Sequence, residues 1–143
     1  MLLAQGKVDD AIASFGNAIA HDPGSADAYR NLGTALETAG KFDDAIASYE
    51  AAIAQQPDFA LAHGDLALAL LMTGKVEAAL AQFERAIALQ PNFPMAIGGK
   101  GHALQALGKL DQAIACFERV VALVPGSATA QQDLTNARKA RGR

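Results

Sequence analysis

A period of 34 residues runs through the chain and limits its possible folds more than any other feature. Gly-Lys recurs at Gly6-Lys7, Gly40-Lys41, Gly74-Lys75 and Gly108-Lys109, and proline at Pro23, Pro57, Pro91 and Pro125. An aromatic recurs at Phe15, Tyr49, Phe83 and Phe117, and alanine at Ala11, Ala45, Ala79 and Ala113. Four markers holding one spacing without a slip indicate a repeat array. Such a chain buries a continuous ribbon, each unit touching only its neighbours, instead of one central core.

The stretch Ala26–Phe59 shows what a unit is. Tyr29, Leu32, Gly33 and Leu36 fall at i, i+3, i+4 and i+7, which predicts an amphipathic first helix, A. Gly40 ends it, because glycine tolerates the left-handed turn that follows a helix. Asp43 or Asp44 is a candidate cap for the second helix, B. Ala45, Ile46, Tyr49, Ala52 and Ile53 then form a second buried stripe, and Pro57, which lacks the N–H needed to continue, ends it. Each unit is predicted to be an antiparallel helix pair.

With Tyr29, Leu32-Gly33, Ala45, Tyr49, Ala52 and Pro57 in place, the unit resembles a tetratricopeptide repeat at positions four, seven, eight, twenty, twenty-four, twenty-seven and thirty-two. The resemblance covers nearly the whole chain. It implies an all-α solenoid wound as a right-handed superhelix, with seven full helices plus a short N-terminal stub. The expected divisions are a partial repeat over 1–25, full repeats over 26–59, 60–93 and 94–127, and a C-terminal capping helix over 128–143. The last full repeat departs most. Lys100 replaces the usual Leu, and Gly98, Gly99 and Gly101 crowd one helix, each costing roughly 1 kcal/mol relative to Ala. Pro94 is tolerated at the helix start. Ala128–Arg141 keeps Leu134 but is otherwise polar, as a capping helix is, and Arg138, Lys139 and Arg141 complement its dipole.

Several classes are disfavoured. No alternating β-branched run suggests a strand, and no apolar run approaches the ~18 residues of a membrane span. The single Cys116 leaves no internal disulfide framework and fits a reducing, cytoplasmic compartment. His21, His63 and His102 do not lie at metal-ligand spacing with one another or with Cys116. Gly98-Gly99-Lys100-Gly101 lacks the spacing and the Ser or Thr of a phosphate loop. The basic C-terminal run is small and has no aromatic within it, which argues against nucleic acid. No catalytic, cofactor or metal residues are assigned, and the chain is not read as an enzyme.

Function is therefore expected on the surface. The resemblance implies that the A helices line a concave groove that takes a protein or peptide ligand through positions two, five, nine, twelve and thirteen. On this chain those places are Asp27, Arg30, Thr34, Glu37 and Thr38; then Leu61, Gly64, Leu68, Leu71 and Met72; then Met95, Gly98, His102, Gln105 and Ala106. Gln132 and Asn136 extend the set on the capping helix. Leu61, Leu68, Leu71, Met72 and Met95 are expected to form one apolar patch, with Gly64 and Gly98 leaving room beside it. Asp65, Gly99, Leu61 and Met95 stand where members that hold a peptide carboxylate carry polar or basic ligands, so that mode is disfavoured. The chain also resembles the repeat region of O-linked sugar transferases, whose groove carries Asn at position six. Only Asn31 fits, and Asp65 and Gly99 break that ladder. The alternatives to a free-standing module are the recognition arm of a larger enzyme and a self-assembling scaffold.

The net charge of −3 is uneven. Met1 to Leu71 holds three basic and ten acidic residues, −7, whereas Met72 to Arg143 holds nine and five, +4. The asymmetry reads either as surface drift or as an end-to-end dipole that influences association. The N-terminal end, with a B helix and no full A helix, is a candidate homo-oligomer contact, head-to-tail or as a two-fold dimer burying Leu2, Leu3, Ile12 and Phe15.

Overall fold

The computed structural model describes residues 2–142, with side chains described from Gln5 onward. Among these residues there are eight α-helices and no strand: α1 (Leu2–His21), α2 (Ala26–Thr38), α3 (Phe42–Gln55), α4 (Ala60–Met72), α5 (Val76–Leu89), α6 (Pro94–Ala106), α7 (Leu110–Leu123) and α8 (Ala128–Arg141). Each helix packs against the next in sequence, and α2–α4 and α4–α6 also touch. This is an all-α solenoid, in which α2, α4, α6 and α8 are the A helices.

The repeated punctuation works as the sequence implies. Gly40, Gly74 and Gly108 have φ of 79°, 83° and 78°. After α2, the Gly40 N–H donates to the Glu37 carbonyl at 2.9 Å and the Lys41 N–H to the Leu36 carbonyl at 2.8 Å. That pair of bonds is a Schellman closure, which satisfies carbonyls the helix end leaves open. It returns after α4 and α6. Each B helix stops two residues before its proline, with Gln56 and Gln90 at φ −141°, outside the helical region that the residue before proline disfavours.

Three expectations need correction. The stub is not a separate element, because Gly6 lies inside α1 and has no left-handed backbone. Asp43 and Asp44 do not cap α3. Lys41 is its N-cap and makes no side-chain cap bond, and the two acids sit within the first turn, where they complement the dipole. True side-chain caps occur at Ser25 and Ser127, whose hydroxyls accept from the Ala28 and Ala130 N–H at 3.2 Å.

The glycines of α6 are the third correction, since two of them are seats for rings. A Cβ on Gly101 would come within 2.7 Å of Phe117, and one on Gly99 would overlap Phe83. Helix α6 is thus clasped between the aromatics of α5 and α7. Gly33 plays the same part under Tyr49, where a Cβ would fall 2.5 Å from the ring. Gly98 is different, because its nearest neighbour would be Val120 at 3.8 Å. Lys100, at a position that is Leu32, Leu66 and Leu134 elsewhere, keeps its stem half-buried and turns its ammonium towards Glu84 at 3.9 Å.

The inner faces of the B helices α3, α5 and α7 are closed. Tyr49, Phe83 and Phe117 are at most 1% exposed, and Ala45, Ala79 and Ala113 are fully buried. Ala45→Leu is therefore expected to lower stability by roughly 1–3 kcal/mol through overpacking, while Asp58→Ala, on an exposed turn, leaves it unchanged. Gly98→Ala should raise stability by about 1 kcal/mol and Gly99→Ala should lower it. Urea unfolding followed by circular dichroism measures all four.

Candidate functional site

The predicted groove residues divide into a polar N-terminal half and an apolar C-terminal half. In the polar half the candidate ligands are already occupied. The Arg30 guanidinium on α2 donates to the Asp65 carboxylate on α4 at 2.5 Å. Thr34 Oγ1 donates to the Arg30 carbonyl at 3.2 Å and also lies 3.4 Å from the Tyr49 hydroxyl, and Thr38 Oγ1 donates to the Thr34 carbonyl at 3.0 Å. Asp27 is exposed. Beneath them the Tyr49 hydroxyl donates to Glu37 Oε2 at 3.1 Å, and Glu37 Oε1 is buried without a hydrogen-bond partner.

Burial sets the charge balance of this cluster. It pushes the Glu37 carboxyl above its ordinary range; the bond from Tyr49 opposes the shift, and the nearby Asp65 adds to it. Asp65 is also raised by burial, and the Arg30 guanidinium offsets only part of that. The Tyr49 phenol is raised as well, chiefly by burial. Arg30 and Asp65 together tie adjacent repeats, which is why an acid stands at that place.

The apolar half is not one continuous patch. Leu61, 40% exposed, and Met72, 66% exposed, lie at opposite ends of α4. Leu71 is half-buried against the core. Leu68 and Met95 come together at the wall of a recess of about 290 Å³, which Gly98, His102, Val120, Val124, Thr129 and Asp133 also line. The recess opens between α6 and α8, with α7 below. Gln105 lies one turn of α6 beyond His102, half-buried and outside the recess.

The two groove glycines behave differently. Gly64 is buried, and a Cβ there would lie 2.7 Å from Met95 Cε, so the room expected beside it is filled. Gly98, one repeat on, stays open. The cause is the residue 34 positions after Met95: Thr129 is too short to cover Gly98 as Met95 covers Gly64. At the rim His102 Nε2 lies 3.3 Å from Asp133 Oδ2, and the His102 ring stands edge-on to Phe117 at 5.0 Å between centroids. Val120 and Val124 belong to the end of a B helix and Asp133 to position six, outside the expected groove positions, whereas Thr129 occupies position two of α8. The signal was the short residue at the second place of α8.

Elsewhere the surface is tied down. Arg138 pairs with Glu118 at 3.3 Å and Arg141 with Asp111 at 3.2 Å, so two of the three cations in the last turn of α8 answer acids on α7. Burial pushes the Cys116 thiol up, which suits packing and not nucleophilic attack. Among the described residues no group of three His, Cys, Asp or Glu is placed to hold a metal, and no helix is long and apolar enough to cross a membrane.

Sequence profiles described as tetratricopeptide repeat match residues 32–94, and residues 2–47 and 70–137. The chain belongs to the tetratricopeptide repeat family. Among solved structures it is similar to MamA, at 27% identity and a TM-score of 0.87, over 97% of this chain and 81% of that one. It is also similar to the first repeat domain of Spaghetti (RPAP3) bound to the HSP90 peptide SRMEEVD. There the identity is 27% and the TM-score 0.81, over 83% of this chain and 94% of that one. No curated protein matches the chain.

The polar cluster gives a pH prediction. A carboxyl whose pKa is higher in the folded than in the unfolded chain binds its proton more readily when folded. Glu37 should therefore add stability as pH falls from 7 towards 4.5, its ordinary value, and withdraw it as pH rises. Glu37→Gln should remove this increment. Urea midpoints at pH 7 and pH 5 for both proteins test it, and identical pH dependence would show that Glu37 does not titrate there.

Proposed function

We propose that the chain is a non-enzymatic interaction module that holds a peptide or helix on its A-helix face, with an apolar side chain of the ligand inserted beside Gly98. The recess carries this reading: it joins an apolar floor to a few polar rim groups, the usual make-up of a ligand pocket. Leu68 and Met95 supply the wall, and His102 with Asp133 supplies the polar edge. The RPAP3 domain, which shares the fold, is bound to a peptide, which supports a peptide-sized ligand.

That peptide, SRMEEVD, ends in acids, and this chain is a poor host for one. Arg30 is committed to Asp65, and Glu37 lies beside them. A carboxylate brought here would meet two acids and a neutralised guanidinium. The ligand is instead read as neutral or basic near α2 and α4, with its apolar anchor at α6 and α8.

Gly98→Leu is the decisive variant, because it fills the recess without removing a helical contact and replaces a poor helix former. Leu68→Glu is its companion. The combined change at Leu68 and Leu71 is a worse test, since Leu71 belongs partly to the core. Synthetic peptides of about 15 residues, apolar-anchored or acid-ended, would be titrated by fluorescence anisotropy. Binding of the apolar-anchored peptides that Gly98→Leu weakens by about tenfold or more, ~1.4 kcal/mol, is the expected outcome. Equal binding to the variant, or a preference for acid-ended peptides, would place the site elsewhere.

A further inference from the structure

A second recess, of about 210 Å³, opens among α5, α6 and α7, lined by Ile87, by Ile97 and Lys100, and by Ala115, Cys116 and Arg119. It shares no lining residue with the recess beside Gly98.

Its origin lies in three side chains that differ from their counterparts in the unit before. There the registers of Ile97 and Cys116 hold His63 and Gln82, whose Nδ1 and Oε1 meet at 2.8 Å across α4 and α5. Ile97 and Cys116 are both smaller, and the apolar Ile97 cannot form such a bridge, so space is left between the helices. The third is Lys100, where the other A helices carry Leu32, Leu66 and Leu134. Leucine would end within the wall, whereas lysine lays its stem along the wall and carries an ammonium to the rim.

Two cations thus stand beside this space, and neither is firmly neutralised. Arg119 donates to the Pro91 carbonyl at 2.6 Å and to Asn92 Oδ1 at 3.2 Å, both uncharged acceptors and both reached through Nη2. Lys100 lies 3.9 Å from Glu84, whose side chain is 54% exposed, and so open a pair contributes little. The positive field of both cations reaches the Cys116 thiol, where it opposes the upward push of burial.

We infer that this recess is a binding site for a small aliphatic carboxylic acid, with its stem against Ile87, Ile97 and Ala115 and its carboxylate between Lys100 and Arg119. The apolar floor gives a bare inorganic anion nothing to bury, and the cations would lose their water to a neutral hydrocarbon without compensation. A guanidinium fork matches the planar carboxylate. The volume lies below the roughly 300–1,000 Å³ of drug-sized pockets, which limits the ligand to a short stem. Occupancy does not depend on the groove ligand, because the two recesses have separate walls.

The probe is 4-methylpentanoate, titrated at pH 7 into the ¹⁵N-labelled full chain. Saturable amide shifts centred on Lys100 and residues 115–119, with a Kd of about 1 mM or below, are expected. Acetate, which lacks the stem, 4-methylpentan-1-ol, which lacks the charge, and inorganic phosphate should each bind about tenfold more weakly or worse. Lys100→Leu restores the residue of the other A helices and should keep the fold while weakening the acid by about tenfold. Cys116→Gln, the residue of the preceding unit, should do the same by filling the space, and Gly98→Leu should change nothing. Cys116 is the chain's single cysteine, so its alkylation by N-ethylmaleimide reports on the recess, and the acid should slow it. Equal binding of the alcohol or of phosphate, shifts centred on Gly98 and His102, an unchanged alkylation rate at saturation, or no saturable shift at all would overturn the site. The ligand comparisons need no altered protein, so they decide the matter even where a variant fails to fold.

Discussion

The solenoid from α2 to α8 hangs on one contact, the aromatic ring of each of the B helices α3, α5 and α7 lying on a backbone stripped of side chain. Tyr49 on Gly33 and Phe117 on Gly101 join the two helices of a unit, and Phe83 on Gly99 joins one unit to the next. A ring buried to this degree contributes roughly 1.5–3 kcal/mol relative to exposure, and it does so only if the facing helix comes close. That requirement makes the small residues obligatory and keeps the period rigid. A slip of one residue would put a Cβ into a ring.

The turns add a second, polar layer of fixation. The carbonyls of the recurring prolines lie where the chain leaves a B helix, and they are satisfied by different residues in different units. His63 reaches the Pro57 carbonyl at 2.9 Å, and Gln131, 68 positions later in the same register, donates to the Pro125 carbonyl at 2.8 Å. Between them the equivalent residue is Ile97, which has nothing to donate, and Arg119 from α7 serves the Pro91 carbonyl at 2.6 Å instead. With Pro57 as a fixed acceptor, His63 Nε2 carries the proton. Its Nδ1 lies 2.8 Å from Gln82 Oε1 on α5. The same geometric need is met by whichever side chain is within reach.

The architecture was legible because its causes repeat. Gly40, Gly74 and Gly108 stop helices, Pro57, Pro91 and Pro125 follow them, and Ala45, Ala79 and Ala113 line the core, each visible as a period. The errors fall where meaning depends on a neighbour. Gly6 looks like its counterparts and is helical, without their positive φ. Gly98, Gly99 and Gly101 look alike on the page, yet two lie under rings and one is open. Arg30 reads as a groove ligand until Asp65, 35 residues away, is found holding it. Periodicity reports what each unit shares and is silent about how one unit's surface residues meet those of the next.

That silence explains where specificity resides in such a fold. The shared positions cannot vary without breaking ring contacts, so they say nothing about the ligand. The surface positions vary, but their effect is set in pairs across the unit boundary. Met95 closes Gly64 while Thr129 leaves Gly98 open; Asp65 neutralises Arg30, and Asp133 takes up His102. In each case a residue early in one A helix decides what the previous A helix can offer. Changing that early residue should therefore move a recess along the groove without touching the core. A longer side chain at Thr129 would cover Gly98, and a shorter one at Met95 would uncover Gly64, shifting the anchor position by one repeat while every ring stays seated.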